Sequence, residues 1–437
     1  AIQSKDPRGE RPYSPVMMVA LLVYGYCVGV FSSRKIAQAT YDYVAFRVLA
    51  GDTHPYFTTI NQFRLDHHKA LAGLFLQALQ LCQKAGLVKL GHVSFDGSKI
   101  QANASKHKAM SYERMEKEEA RLKAAIEEML QRADEIDREE DERYGKGQEA
   151  HDLPEELRRR ENRLEKIRAA KAALEKEAAQ ARAEKLRAQA KAQRDKAADE
   201  SVDATERKRA TTRAEQSEQK ARELDHHDDD DDDDEPPADN SDASDDLPHH
   251  RVPTNPDGTP APKAQRNFTD PDSRIMKNNS GYLQGYNAQT AVDSESQIIV
   301  AAALTNQAPD QEHLEPMLDR VIDNCGDTPE LISADSGYFS EDNVEASEHR
   351  GIDPYIAVGR KPNAESSTQE PTEQVTAAQL AKQRMRDKLQ TEAGKAIYAR
   401  RKAIVEPPFG QIKEARGFRR FSLRGLAKTR SEWTLVC

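Results

Sequence analysis

The stretch "VSFDGSKIQANASKHKAMSYERM", from Val93 to Met115, joins two different patterns. Its first residues alternate apolar and polar side chains and end at Asp96, which is typical of a β-strand. Small, polar and basic residues follow at once, and a helical pattern begins near Met110. We therefore predict a strand that ends on a carboxylate, followed by the start of a long helical segment.

The composition indicates folded domains together with exposed helices or linkers. The chain has 437 residues, of which 37% are hydrophobic and 32% are charged, and its net charge is -10. Length alone allows two or three domains. The negative total hides a basic segment, because residues 398–430 contain ten Lys and Arg against two Glu. A segment of this kind indicates a polyanionic partner.

The four cysteines form no CxxC pair, so the sequence predicts neither a disulfide framework nor a zinc site. A reducing, cytoplasmic location fits this pattern. The apolar run from Val16 to Val30 is interrupted by Tyr24 and two glycines and is short for a membrane span, so we expect no membrane insertion. The chain begins on Ala1 and stops at Cys437 within "EWTLVC", and we therefore expect a fragment.

The patterns divide the chain into five segments. Helical spacing of apolar residues, with Ser14 and Pro15 as a helix start, predicts an all-α N-terminal domain. Heptad seams from Met115 to Ile136 and from Leu157 to Ala181 predict an antiparallel coiled-coil hairpin that continues to about Leu224. Seven consecutive Asp residues predict a disordered linker. The predicted boundaries are 1–90 for the N-terminal domain, 91–112 for the first part of an α/β core, 113–225 for the helical insertion, 226–265 for the acidic linker and 266–437 for the rest of the core with its basic C-terminal segment.

Two predicted strands end on an aspartate that small residues follow, "VSFDGS" at Asp96 and "LISADSGYF" at Asp335. Sheets of α/β proteins bind ligands at the carboxyl ends of their strands. A third acid, Glu406, lies within the basic segment. Three converging carboxylates would repel unless divalent cations held them, and Mg²⁺ prefers oxygen ligands. The residues alone leave two readings open, a metal-dependent nuclease and ordinary turn or cap aspartates.

Longer motifs resemble the DDE transposases of bacterial insertion sequences, in the group with an InsH-type N-terminal domain. The resemblance covers nearly the whole chain. It implies an RNase-H-like mixed α/β sheet flanked by helices, interrupted by the coiled-coil insertion and preceded by the all-α domain. The motifs are "RPYSPVMMVALLVYGYCVGVFSSRKIAQA" (11–39), "FDGSKIQANASKHKAMSYERM" (95–115), "NFTDPDSRIMKNNSGYLQGYNAQTAVD" (267–293), "ADSGYFSEDN" (334–343) and "RRKAIVEPPFGQIKEARGFRRFSLRG" (400–425).

The resemblance implies that Asp96, Asp335 and Glu406 are the three catalytic acids and that they hold two Mg²⁺ or Mn²⁺ ions. The implied activity is metal-dependent cleavage of double-stranded DNA at the terminal repeats of an element, followed by transfer of the freed 3′ ends into target DNA. The implied partners are these DNA segments and further copies of the chain, because both ends of an element must be brought together. The implied location is the bacterial nucleoid.

A signature of related transposases has Tyr, Arg, Glu and Lys at fixed spacings. Tyr398, Arg401, Glu406 and Lys413 resemble this signature in order and in most of their spacing. Here the gap between Arg401 and Glu406 is one residue too long. Pro407 disfavours a helical residue before it, so we expect Glu406 at a helix junction. The residues expected to bind DNA are Lys99, Tyr398, Arg401, Lys413, Arg416, Arg419, Arg420 and Arg424.

Two other functions remain as alternatives at this stage. One is an RNase-H-like nuclease that hydrolyses DNA without strand transfer. The other is a non-enzymatic coiled-coil scaffold, which predicts that the three acids lie apart. For Arg274 and Lys277 the sequence supports two interpretations equally. They contact DNA, or they lie in an ordinary exposed loop.

Overall fold

The computed structural model describes residues 12–144, 155–198, 203–226, 247–278, 281–359 and 377–437. Its helices are α1 (Pro15–Cys27), α2 (Ser33–Asp42), α3 (Val44–Leu49), α4 (Phe57–Asp66), α5 (His68–Lys84), α6 (Tyr112–Tyr144), α7 (Glu155–Ala198), α8 (Ala204–His226), α9 (Leu314–Cys325), α10 (Glu341–His349), α11 (Ala377–Gln390), α12 (Glu392–Gly410) and α13 (Leu426–Val436). Its strands are β1 (His92–Gln101), β2 (Ala109–Ser111), β3 (Gln265–Asn267), β4 (Arg274–Asn278), β5 (Gly281–Asp293), β6 (Ile299–Thr305), β7 (Leu331–Ala334) and β8 (Asp353–Ile356).

The described residues form two compact units. The first unit contains the chain up to Ala104, residues 247–249 and the chain from Asp272 to Cys437. The second unit contains the helices α6–α8 and extends from Ser105 through the insertion, with His250–Pro271. The N-terminal helices α1–α5 therefore belong to the same unit as the main sheet.

Helices α1–α5 pack around a small apolar core. Ser14 precedes α1 in an extended conformation and Pro15 takes the first helical position, as the sequence predicts. Leu21, Ile36 and Ile60, from three different helices, are completely buried in this core. Burial of several such side chains is what stabilises short helices, which are marginal in isolation.

Three buried polar side chains join the N-terminal helices to the C-terminal helix α13. The Tyr26 hydroxyl donates a hydrogen bond to Glu432 Oε1 at 3.1 Å and accepts one from Arg64 Nη1 at 3.2 Å. The Glu432 carboxylate also accepts from the backbone N–H of Ser422 and Leu423. A buried carboxylate needs such donors, because burial without them is expensive.

The main sheet is mixed. Strand β1 is central, antiparallel to β5 and parallel to β7, and β7 is in turn parallel to β8. On its other edge β5 pairs antiparallel with β4 along its first half and with β6 along its second half. The mixed α/β architecture implied by the resemblance is confirmed.

Helices cover both faces of the sheet, and the alternation of side chains along β1 decides what each face receives. Val93 and Phe95 pack in the core that contains α9. Ile100 packs in the core that contains α12 and α13. Asp96 therefore shares the face of Ile100, whereas Gly97 shares the face of Phe95.

The second unit is built on long helices. Helix α6 runs antiparallel to α7, since Tyr112 contacts Glu175 whereas Glu118 pairs with Arg163. The heptad seams predict this arrangement, and their residues Met115, Leu122, Leu157, Leu164, Ile167, Leu174 and Ala178 are buried. The seam positions Ala133 and Ile136 have side chains outside the described part of the chain.

The predicted hairpin differs from the structure at its end, because a separate helix α8 packs on α7. The Asp203 carboxylate accepts a hydrogen bond from the Thr205 N–H at 3.0 Å and so caps the start of α8. The short strands β2 and β3 pair antiparallel, with Ala109 opposite Asn267, and bring the two ends of the insertion together. The run of seven aspartates at 228–234 lies outside the described residues.

The prediction that Glu406 lies at a helix junction is wrong, because Glu406 lies within α12. The helix continues through Pro407 and Pro408 to Gly410, and a π-helical turn, Gln411–Ala415, follows directly. Proline has no N–H, so Pro407 leaves the Ala403 carbonyl without its helical donor. The Gln297 side chain donates to this carbonyl at 2.8 Å and replaces the missing bond.

Candidate active site

Two aspartates lie side by side where the parallel pairing of β1 and β7 ends. Phe95 on β1 is the register partner of Ala334, the last residue of β7, and Asp96 and Asp335 follow them directly. The prediction that the first strand ends at Asp96 is wrong, because β1 continues to Gln101 through its pairing with β5. The Gly97 N–H donates to Asp96 Oδ1 at 2.9 Å. The Gly337 N–H donates to Asp335 Oδ1 at 2.8 Å, which closes a tight turn after β7. Parallel pairing of β1 and β7 is therefore what brings these two acids together.

A third aspartate, which the sequence analysis missed, lies beside this pair. Asp310 follows β6 and precedes the 3₁₀ turn Gln311–His313 at the start of α9. Its carboxylate accepts hydrogen bonds from Asn287 Nδ2 at 2.7 Å and from Gln289 Nε2 at 2.8 Å, and it pairs with Lys99 Nζ at 3.0 Å. The signal that could have found it is an aspartate just before a helical pattern, a common cap position.

The glycines that follow Asp96 and Asp335 show how close the Asp310 carboxylate lies to the backbone beside each acid. A Cβ atom built on Gly97 would lie 2.7 Å from Asp310 Oδ1, and one built on Gly337 would lie 3.4 Å from Asp310 Oδ2. The Gly337 Cβ would also lie 3.0 Å from Asp335 Oδ1. The Asp310 carboxylate thus lies between the two chain segments that follow Asp96 and Asp335.

Cationic side chains from α12 and the following turn approach Asp96 on its own face of the sheet. Arg401 Nη1 lies 3.8 Å from Asp96 Oδ2, and its guanidinium Nε and Nη1 donate no hydrogen bond among the described residues. The Lys413 ammonium contacts Ser98 Oγ. The Tyr398 ring lies 5.9 Å from the Arg401 guanidinium. Three residues of the predicted signature therefore interact with Asp96 through a contact or through its charge.

Burial and neighbouring charges of both signs determine the electrostatics of Asp96. Burial raises the pKa of Asp96 to about 6, and the Arg401 guanidinium acts in the opposite direction. The Asp335 and Asp310 carboxylates raise the Asp96 pKa further. Burial also lowers the pKa of Lys413, although Asp96 opposes this change. An additional cation near Asp96 and Asp335 would relieve this repulsion.

The structure does not bring Glu406 into this group. Its side chain is exposed on α12, five residues after Arg401. Among the described residues, no set of three or more His, Cys, Asp or Glu side chains is arranged to hold a metal ion. The structure therefore joins Asp96 and Asp335 but does not complete a three-acid set with Glu406.

The remaining residues predicted to bind DNA differ in their surroundings. Arg416 donates to the Val436 carbonyl at 2.7 Å, and burial lowers its pKa. Arg419 pairs with Glu414, whereas Arg420 and Arg424 donate to Asn103. The side chains of Arg419, Arg420 and Arg424 are exposed, so they provide positive charge on the surface.

The comparisons with known proteins give two family matches. Residues 249–437 match the family model of the transposase DDE domain, and residues 2–66 match that of a transposase domain named DUF772. These matches identify the chain as an insertion-sequence DDE transposase. No curated protein and no solved structure matches the chain.

The matched ranges of the transposase include Asp335, Asp310 and Glu406 but not Asp96, which the sheet register places next to Asp335. The transposase has an RNase-H-like α/β core and an all-α N-terminal region. Its family implies DNA as substrate. No helix in the described part of the transposase is long and apolar enough to cross a membrane.

The donors at this site suit the divalent metals that DDE transposases typically use. Asp96 and Asp335 offer carboxylate oxygens, the ligands that Mg²⁺ prefers. Mg²⁺ is usually bound through one or two carboxylates and completes its shell with water and substrate phosphates. The residues present therefore fit such a metal.

Proposed function

We propose that this transposase cleaves double-stranded DNA at the ends of its element and joins the freed 3′-hydroxyl groups to target DNA. The observation that carries the proposal is the pair Asp96 and Asp335, which follow the last paired residues of two adjacent parallel strands. The transposase DDE family match and the nearby cations Arg401 and Lys413 support it.

In this proposal Asp96 and Asp335 are ligands of Mg²⁺ or Mn²⁺, and Glu406 is the third acid. Two such ions, when bound, supply activation of the attacking oxygen and stabilisation of the leaving oxygen. The chain contributes the placement of the carboxylates, because the N–H groups of Gly97 and Gly337 each hold one carboxylate oxygen. Glu406 lies on the helix whose Arg401 contacts Asp96.

The DNA phosphates are held by cationic and polar side chains in this proposal. Arg401 pairs with Asp96, and the Asp96 charge affects the pKa of Lys413 and of Tyr398, so these three residues are assigned to the phosphate at the reacting position. The exposed Arg419, Arg420 and Arg424 are assigned to the neighbouring backbone, where such contacts give affinity without sequence preference. For Lys99 and Arg416, which have partners within the fold, DNA contact remains a prediction.

Both ends of an element take part in one event, so we propose that the active form is a homo-oligomer acting on DNA in the bacterial nucleoid. The exposed cations make binding dependent on salt, because each phosphate contact releases counterions.

The first test uses DNA that carries the genomic segments flanking the gene on both sides, with Mg²⁺ and the purified chain. We expect cleaved and joined products with the wild-type chain. Removal of a carboxylate that supplies several kcal/mol of transition-state stabilisation lowers the rate by about 1000-fold or more. Asp96→Asn and Asp335→Asn should both show this loss, and Glu406→Gln tests the third acid.

The matched control is Asp319→Asn on α9. It removes an exposed carboxylate that pairs with Arg350 at 2.8 Å. This variant should cleave and join as the wild type does. Cleavage without joined products would favour the nuclease. Unchanged activity in Asp96→Asn and Asp335→Asn, with circular dichroism showing a folded chain, would reject the proposed site and favour the scaffold.

A further inference from the structure

The Asp310 carboxylate is held by an ion pair and two side-chain hydrogen bonds. Lys99 Nζ lies 3.0 Å from Oδ1 and 3.3 Å from Oδ2, and the side chains of Lys99 and Asp310 are only 15% and 19% exposed. Asn287 and Gln289 donate two further hydrogen bonds to Oδ1. A partly buried ion pair is weak evidence for stability, because desolvation offsets much of the attraction.

The residues of this network lie on one face of the sheet. Asp96 and α12 lie on the opposite face. Gly97 pairs with Gln289 across the sheet and Lys99 pairs with Asn287, so these four residues share one face. Asp310 covers this face and reaches the chain segments that follow Asp96 and Asp335, as the distances from Gly97 and Gly337 show. It is therefore placed to act on the pair through space.

The network also reaches the segment that carries Asp335. The Tyr338 hydroxyl donates to Gln289 Oε1, and Gln289 Nε2 donates to Asp310. Tyr338 is buried and follows Asp335 by three residues. A chain of hydrogen bonds thus connects the turn after β7 with Asp310.

We propose that Asp310 is a positioning residue whose charge, offset by Lys99, sets the affinity of Asp96 and Asp335 for a divalent cation. This inference rests on the proposed function and adds a residue to it. Groups behind the direct ligands typically change metal affinity by about 10- to 100-fold when they are mutated. The pair Asp310–Lys99 is neutral, so removal of either member leaves the opposite charge beside the site.

The two members should therefore have effects of opposite sign on metal binding. Asp310→Asn leaves the Lys99 cation uncompensated and should weaken binding of Mn²⁺ about 10-fold. Lys99→Met leaves the Asp310 carboxylate uncompensated and should strengthen it. The double variant should return close to the wild type, which a double-mutant cycle detects as coupling. A purely structural role predicts that both single variants weaken binding.

The experiment measures binding of Mn²⁺ alone to the full chain, from the paramagnetic resonance of the free ion. The aspartates at 228–234 would bind Mn²⁺ as well, so the Asp96→Asn/Asp335→Asn double variant gives the background to subtract. Asp319→Asn is the control for the loss of a paired carboxylate on the same segment of chain and should leave binding unchanged. Thermal unfolding in EDTA shows that each variant is folded.

The outcomes separate the two proposals. If the Asp96→Asn/Asp335→Asn variant binds Mn²⁺ as the wild type does, the proposed metal site is wrong and the role of Asp310 falls with it. If that variant loses a binding site but Asp310→Asn binds within about twofold of the wild type, only the role of Asp310 is overturned. Weaker binding in Lys99→Met also overturns it.

Discussion

At the residue scale, the space around Gly97 leaves no room for a side chain. A Cβ atom at this position would lie 2.5 Å from Gln289 Nε2 and 2.7 Å from Asp310 Oδ1, and both atoms are held by hydrogen bonds. Gly97→Ala must therefore displace the network or the strand. We expect a loss of about 1–3 kcal/mol in unfolding free energy, as for overpacked sites, together with loss of DNA cleavage.

The control for this substitution is Gly73→Ala on α5, where an added Cβ would meet no atom within 4 Å. Glycine within a helix is less stable than alanine by about 0.5–1 kcal/mol, so this variant should gain stability and keep its activity. Urea denaturation and the cleavage assay measure both quantities. Equal effects of the two substitutions would show that Gly97 has no special packing.

His92, at the start of β1, predicts a pH dependence of stability. Burial lowers its pKa to about 4, with the Arg400 charge acting in the same direction, and its Nε2 hydrogen-bonds with Ser333 Oγ at 2.7 Å. The unfolded chain takes up this proton first as the pH falls. The stabilising contribution of neutral His92 is therefore complete above pH 6.5 and is lost between about pH 6.5 and pH 4.

We expect the wild type to lose about 2 kcal/mol more unfolding free energy than His92→Gln between pH 7.5 and pH 4.5. Urea denaturation in EDTA at both pH values measures the difference, and the contributions of other groups cancel between the two chains. Equal losses in the two chains would contradict the assignment.

The sequence was sufficient to find Asp96 and Asp335 because each follows a short apolar run, which is a local pattern, although β1 continues beyond Asp96 to Gln101. It was insufficient for Asp310, which lies in a loop five residues after β6 and is defined by contacts with β1 and β5. The same limit applies to Lys99, which we expected to contact DNA and which pairs with Asp310 in the structure. Ion pairs between residues this far apart in the chain leave no periodic signal.

At the element scale, the helices of the insertion show why a heptad pattern predicts helix packing more reliably than a single residue predicts where a helix begins. The seam predicted the packing of α6 on α7, whereas the start of α8 is marked by one capping residue, Asp203. The continuation of α12 through Pro407 was not predictable either, because its compensation comes from Gln297 on a distant turn. A local rule fails where a tertiary contact supplies what the local structure lacks.

The insertion should depend on its seam and not on its surface ion pairs. Ile167 is 1% exposed and packs among the seam residues of α6 and α7. Ile167→Ala should lower the unfolding free energy of this unit by about 2–5 kcal/mol through lost burial and a cavity. Arg159→Ala removes an exposed pair with Glu155 and should change it by less than about 1 kcal/mol.

Helical circular dichroism during urea denaturation reports these changes, because the insertion contributes the longest helices. If Arg159→Ala were as damaging as Ile167→Ala, the surface pairs and not the apolar seam would be the main source of stability.

At the scale of the whole molecule, the N-terminal helices are joined to the core by the buried chain Arg64–Tyr26–Glu432. Arg64→Met leaves the Glu432 carboxylate buried without its cation, and we expect a loss of about 3 kcal/mol in unfolding free energy. The exposed Arg47–Asp52 pair provides the control, since Arg47→Met should cost less than about 1 kcal/mol.

The fluorescence of Trp433, the only tryptophan in the chain, follows this unfolding because the side chain is fully buried next to Glu432. Unfolding of Arg64→Met at the same urea concentration as the wild type would show that the N-terminal helices are held by their apolar contacts alone.

The position of β1 has a consequence for the order in which the chain folds during synthesis. Both sheet partners of β1, the strands β5 and β7, follow the insertion in the sequence. At roughly 5–20 residues per second, the ribosome needs on the order of ten seconds or more to reach them. The helices of the insertion need mostly local contacts and can form in this interval. The pairing of β2 with β3 then closes the insertion on itself and brings its two ends together before β5 and β7 are made. We therefore expect the insertion to fold before the strand that carries Asp96 finds its sheet partners.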